Sequence, residues 1–151
     1  MLRQAFAERL KQAMKARDAR TVSAVRLILA GLKDRDIAAR GEGNAEGLSE
    51  PAIARMLQAM IKQRRESIAL FEKGNRADLA RQESDEIAVI ESFLPHQMNE
   101  DEITTAARAV ILETGAAGIR DMGKVMAALR ENHAGVIDFS RAGAIVKRLL
   151  G

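Results

Sequence analysis

Glu83 and Glu86 stand three residues apart in "RQESDEIAVIESFL". On a helix that spacing sets both carboxylates on one side, where a pair can do acid–base work. No activated nucleophile accompanies them: Ser and Thr are few, and none sits in a nucleophile-elbow pattern. The alternative is that Arg64 or Arg65 of the preceding antiparallel helix pairs with them in a structural polar cluster. Without a nucleophile, a pocket motif or a cofactor signature, the residues favour that alternative. His96 and His133 lie 37 positions apart and the chain has no Cys, so no metal site and no cofactor is expected. The stretch "GEGNAEG" at 41–47 resembles a phosphate cradle only superficially. It follows no strand, lacks the Gly-Lys-Ser/Thr ending and carries Glu42 and Glu46, so it reads as a flexible linker. No catalytic residue is identified.

The elements that would carry these groups are helices. Ala, Leu, Arg, Glu, Lys, Gln and Met dominate, whereas β-branched and aromatic residues are sparse. Leu2, Phe6, Leu10 and Met14 recur at four-residue spacing on a first helix. Asp18 caps a second, with Val22, Val25, Leu29 and Leu32 inward. Ser49 and Pro51 open a third, with Ile53, Leu57, Met60, Ile61, Ile68 and Phe71 on one face. Gly74 stops it, and Asn75 caps a fourth, whose inner face holds Leu79, Ile87, Ile90 and Leu94. Beyond Pro95, Asn99 with Glu102 has capping-box spacing, and Gly115 and Gly118 close that helix. "DMGKVMAALR" and "DFSRAGAIVKRLL" are two short helices, each opening on an Asp cap. The fold class is all-α: a helical hairpin array over 1–95 and a three-helix domain over 96–151.

The 151-residue chain carries +3 overall, unevenly distributed. Residues 1–40 hold ten Lys/Arg against four Asp/Glu, residues 41–94 seven against ten, and residues 95–151 seven of each. Any electrostatic grip on nucleic acid is therefore moderate and strongest near the first two helices. The run "IKQRRESIALFEKGNRADL" alternates in sign and reads as a solvated helix face. Absence of Cys excludes disulfides and thiolate ligation, and no run approaches the ~18 apolar residues of a membrane span. The basic, amphipathic start "MLRQAFAERLKQAMKAR" contains Glu8 and no Ser, unlike a transit peptide, so a cytoplasmic protein is expected. Met56/Met60 and Met122/Met126 are spaced for core packing or for a helix-accepting groove, the former favoured.

The run "IKQRRESIALFEKGNRADLARQESDEIAVIESFLPHQM", with "VRLILAGLKDRDIAAR", "DMGKVMAAL" and the closing "IVKRLL", resembles the YqeY family over nearly the whole chain. The C-terminal part of that family is similar to the tail of the GatB subunit of the glutamine-dependent Asp/Glu-tRNA amidotransferase. The resemblance implies an all-helical, two-part protein, and a tail module that helps hold tRNA while other parts of GatB carry the chemistry. What it transfers is confined to Met122, Gly123, Lys124, Val125 and Met126. The ATP-using portion and the Ser–Ser–Lys amidase machinery have no counterpart here, so carbon–nitrogen ligase activity with glutamine as donor attaches by family association only.

In the tail, Met122, Val125, Met126 and Leu129 face inward, Gly123 permits close helix packing, and Lys124, Arg130, Arg141, Lys147 and Arg148 point outward. Lys124, Arg130, Lys147 and Arg148 are the candidate phosphate contacts. With no Trp, no Tyr and four Phe, base stacking has little support, and recognition would run through the shape and backbone of a folded RNA. The expected function is a non-catalytic tRNA-associated helical adaptor. A protein-interaction module with an apolar groove beside Met56, Met60 and Phe71 is one alternative. An accessory subunit of an amidotransferase, or of another translation-associated assembly, is the other.

Overall fold

The computed structural model describes residues 1–151 and contains helices joined by turns, with no strand. In chain order they are α1 (Leu2–Lys15), α2 (Ala19–Gly41), α3 (Glu50–Lys73), α4 (Ala77–Glu91), α5 (Glu100–Thr114), a 3-10 turn (Ile119–Asp121), α6 (Met122–Asn132) and α7 (Phe139–Leu150). The chain divides into two compact units, Met1–Leu94 and Pro95–Gly151. No helix is long and apolar enough to cross a membrane.

Local chemistry sets most helix starts. The Asp18 carboxylate accepts from the Thr21 N–H at 3.1 Å, the Ser49 hydroxyl from Ala52 and the Asn99 side chain from Glu102, each satisfying a first-turn donor. Three starts differ from the sequence expectation. Glu102 completes no capping box; its carboxylate turns to His96 at 3.1 Å. Asp121 accepts no first-turn N–H of α6 and instead accepts from Ala117 N–H at 2.9 Å, across the 3-10 turn. Asn75 is not the cap of α4; that position is Arg76, whose guanidinium pairs with Asp78. Gly74 ends α3 as its C-cap, as the sequence indicates, and Asn75 after it takes the left-handed conformation (φ 55°), which its short polar side chain tolerates.

Arg17 occupies the same conformation (φ 54°) between α1 and α2, with the Asp18 N–H returning to Ala13 O at 2.9 Å. A β-carbon there crowds the following carbonyl at a cost of about 1 kcal/mol. Arg17→Gly is accordingly expected to raise stability by about 0.5–1 kcal/mol in urea melts, net of the freer unfolded chain. A loss of stability would mean that the Arg17 side chain makes compensating contacts.

In the N-terminal unit, α1 and α2 form one antiparallel hairpin and α3 and α4 another. Phe6, Val25, Ile28, Ile53, Leu57 and Ile90 are among the side chains of the shared core. Phe6 meets the edge of Phe93 at 4.8 Å, and the Arg9 guanidinium lies over the Phe93 ring. Met56 is buried and Met60 packs against the same core, so this pair fills the interior. In the C-terminal unit α5, α6 and α7 enclose a second core that includes Ile103, Val110, Val125, Leu129, Ile145 and Val146. Gly123 is exposed with open space around its Cα, so it is not a close-packing position.

Candidate functional site

The helix register determines where the four predicted phosphate contacts stand. Lys124 and Arg130 lie on α6, Lys147 and Arg148 on α7, and all four are exposed. Lys124 and Arg130 are six positions apart, roughly 120° around the helix and about 9 Å along it, which suits separate phosphates rather than one. Arg130 spreads its guanidinium over the Phe139 ring, 5.3 Å from the centroid, an arrangement that fixes its direction while leaving its edge donors in solvent. Arg148 stands 3.8 Å from Glu100 in an exposed pair, which contributes little. Lys124 and Lys147 make no ion pair. Arg141, read from the sequence as fully outward, is half-buried.

Two acids of the same surface are occupied by backbone. Asp121 accepts from Ala117 N–H, which is the leading reason its carboxyl titrates below the usual range. Asp138 caps α7 by accepting from the Ser140 and Arg141 N–H groups. Of the three acids between 121 and 150, Asp121 and Asp138 thus face the chain and Glu131 stands exposed beside Arg130, a division that the neutral charge count conceals.

Two polar clusters lie in the N-terminal unit. Arg64 on α3 donates from Nε to Glu86 Oε2 at 2.9 Å and from Nη1 to Met60 O, with Glu83 at 3.9 Å. Arg65 reaches Glu91 at 3.4 Å and is half-buried, not solvated as the alternating charge pattern suggests. The Glu83–Glu86 pair is therefore held by the neighbouring helix in the structural arrangement. Burial first, then the Glu86 charge, raises the Glu83 carboxyl above its usual range, against the pull of Arg64.

The second cluster escapes the sequence reading. Asp36 on α2 is buried and takes both fork nitrogens of Arg3 on α1, at 2.6 and 2.8 Å. Its Oδ1 also accepts the Leu48 N–H at 2.9 Å, while Arg3 Nη2 donates to Leu48 O. The segment read as a flexible linker is thus tied at its end to a buried carboxylate. The available signal was the run Val25, Ile28, Leu32, Asp36, which places an acid in register with the core face. On the outer surface of α2, Leu27 and Ile37 remain exposed beside Arg26 and Lys33, a second feature the inward-facing periodicity did not bring out.

These features define an all-α protein of two helical units whose polar clusters tie helices together and whose cations lie on helix surfaces. The family described as Yqey-like protein matches residues 3–150, and the chain belongs to the YqeY family. It is 38% identical over 85 residues to "Altered inheritance of mitochondria protein 41, mitochondrial" of Lachancea thermotolerans, covering 56% of this chain and 43% of that protein. The protein of the same name from Kluyveromyces lactis is 32% identical over 89 residues, 59% of this chain and 46% of its own. The matched part of the chain spans less than half the length of these relatives. Their names assign them to mitochondria, which overturns the cytoplasmic expectation. The physical reason lies in α1: its basic, amphipathic character serves packing, with Phe6 and Ala13 buried, and carries no information about compartment.

Proposed function

We propose that this YqeY-family chain is a non-catalytic adaptor that grips the backbone of a folded RNA. Transfer RNA is the class implied by the resemblance of its C-terminal part to the GatB tail. The observation that supports this most directly is the division of charge on α6 and α7. Asp121 and Asp138 are engaged by backbone N–H groups, Arg130 and Lys147 stand in solvent with no ion pair, and Lys124 is exposed with only a charge interaction toward Asp121. Phosphates are the ligands such cations suit. Of the four aromatic rings, Phe6 is buried, Phe93 lies beneath Arg9, Phe139 lies beneath Arg130, and Phe71 is partly buried on α3, so base stacking adds little.

The test is binding of the full chain to total tRNA, titrated with salt, beside the variant K124A/R130A/K147A/R148A. Each lost phosphate contact lowers the log–log salt slope by roughly 0.7–0.9, so the variant is expected to lose about 3 from the slope together with most of its affinity. An unchanged slope would remove these four residues from the interface. Failure of the unaltered chain to bind at low salt would overturn the RNA reading.

A further inference from the structure

The outward side of α2 is neither a plain polar surface nor part of the core. Its inner face buries Val25, Ile28 and Leu32. Its outer face runs through Ser23, Leu27, Ala30, Asp34, Ile37 and Ala38, all exposed and recurring at helical spacing. Leu27 is 46% and Ile37 57% accessible, and Met14 at the end of α1 is 53% accessible. Such apolar side chains on the side of a helix facing away from its own core mark a contact surface when they cluster. Between Met14, Val22 and Leu27 lies an open depression of ≈ 660 Å³, edged by Arg17 and Arg26. Arg26, Lys33 and Arg40 recur every seven residues and form one cationic rail beside the apolar strip. Arg17, Arg26 and Lys33 have no carboxylate partner within the chain. Arg17 also holds the left-handed conformation at the rim, and such strain gathers at binding sites.

We propose that this face receives an amphipathic helix of another protein, with aliphatic anchors on one side and Asp or Glu along the adjoining edge. The apolar strip supplies the groove-binding part of that recognition, and the rail supplies its polarity and orientation. Other occupants fit less well. RNA would meet Arg26 and Lys33 but leave Leu27 and Ile37 unused. An anionic membrane surface would meet Asp34 in the middle of the strip, with no Trp or Tyr to anchor it. A second copy packed antiparallel through the same face would oppose rail to rail, and either two-fold packing would set Asp34 of the strip in an apolar contact without a cation of its own to meet it. A partner helix carrying acids opposite the rail and one cation opposite Asp34 satisfies every group on the face.

The test uses the full chain with a photo-crosslinking amino acid at Leu27 or Ile37, and at Leu70 on α3 as an exposed apolar control. Irradiation is carried out in cells that naturally make the protein, and the joined peptides are sequenced by mass spectrometry. The expected result is one partner segment shared by Leu27 and Ile37, absent from Leu70, with aliphatic and acidic residues at helical spacing. Adding R26E/K33E to the cross-linking chain should reduce its yield at least tenfold while circular dichroism and melting stay unchanged. Cross-links to RNA, to lipid or to a second copy, equal capture at Leu70, or no cross-link at either strip position would each overturn the proposal.

Discussion

Asp36→Ala is expected to lower the stability of the N-terminal unit by about 2–3 kcal/mol, because it strands a guanidinium and a backbone N–H that share one buried carboxylate. That corresponds to a fall in melting temperature on the order of 15 °C for a unit of this size. Asp36 accepts two hydrogen bonds from Arg3 and one from Leu48, so it fastens α1, α2 and the end of the 42–49 segment at one point. Gly47 makes the same point from the backbone. Its φ is +80°, and a β-carbon there would lie 2.5 Å from Asp36 Oδ1. Gly47→Ala should therefore destabilise by about 2 kcal/mol or more, combining left-handed strain with displacement of the carboxylate. In the Asp36→Ala background the strain and a 3.3 Å approach to the flexible Arg3 Nη2 remain, so the double mutant should be less damaged than the sum of the singles. Strict additivity would show that the two residues do not share a site.

The pH dependence follows from the same contacts. Hydrogen bonding from Arg3, foremost, and then from Leu48 holds the Asp36 carboxyl at about 2 against the opposing effect of burial. Its folded pKa lies below the unfolded value near 3.9, so the stabilisation is fully present above about pH 4. It is lost as pH falls toward about 2, and amounts to about 2 kcal/mol. Urea midpoints taken across this window should converge for the native chain and Asp36→Ala. A constant gap would assign the loss to packing instead.

What the sequence disclosed was chiefly what neighbouring residues decide. Asp18, Ser49 and Asn99 act as caps because the donors they satisfy lie three residues on. The stripe of Ile53, Leu57 and Ile61 shows helix period and core face together. The Arg–Glu cluster was also within reach, since a short connection forces α3 and α4 to run antiparallel and brings position 64 opposite 83 and 86. Asp36 was visible as an acid in register with the core, but its partner Arg3 is 33 positions away, and no periodicity links the two. Gly74 was legible as the stop of α3, whereas the start of α4 fell one residue later than Asn75, at Arg76, a shift that composition does not resolve. On α6 and α7 the Asp caps were legible as a pattern, and Asp138 holds its place while Asp121 turns back to Ala117 N–H; only the folded geometry separates the two.

Arg64→Met carries the other large effect and tests a carboxylate pair of opposite character. Arg64 is mostly buried, bonds Glu86 at 2.9 Å and stands 3.9 Å from Glu83, so its removal leaves two like charges in a half-buried site. The expected cost near neutral pH is about 2–3 kcal/mol, less than for a fully buried pair because both glutamates retain some solvent. Glu83 is already raised above its usual range, first by burial and then by Glu86. A carboxyl raised in the folded state favours the native chain at low pH and works against it as pH rises through the folded pKa. Losing Arg64 strengthens that push, so the deficit of Arg64→Met should be largest near neutral pH and shrink as pH falls through the carboxylate range. Urea midpoints near neutral pH and at about pH 4.5 separate the possibilities. A gap that does not narrow would mean that the lost Met60 contact or packing, not charge, accounts for the defect. Neutralising the glutamates in R64M/E83Q/E86Q should then recover most of the stability if charge is the cause, and little if it is not. The two sites bind the same unit together with contrary responses to acid: Asp36 loses its hold as protons arrive, whereas the Glu83–Glu86 pair, once stripped of Arg64, is relieved by them.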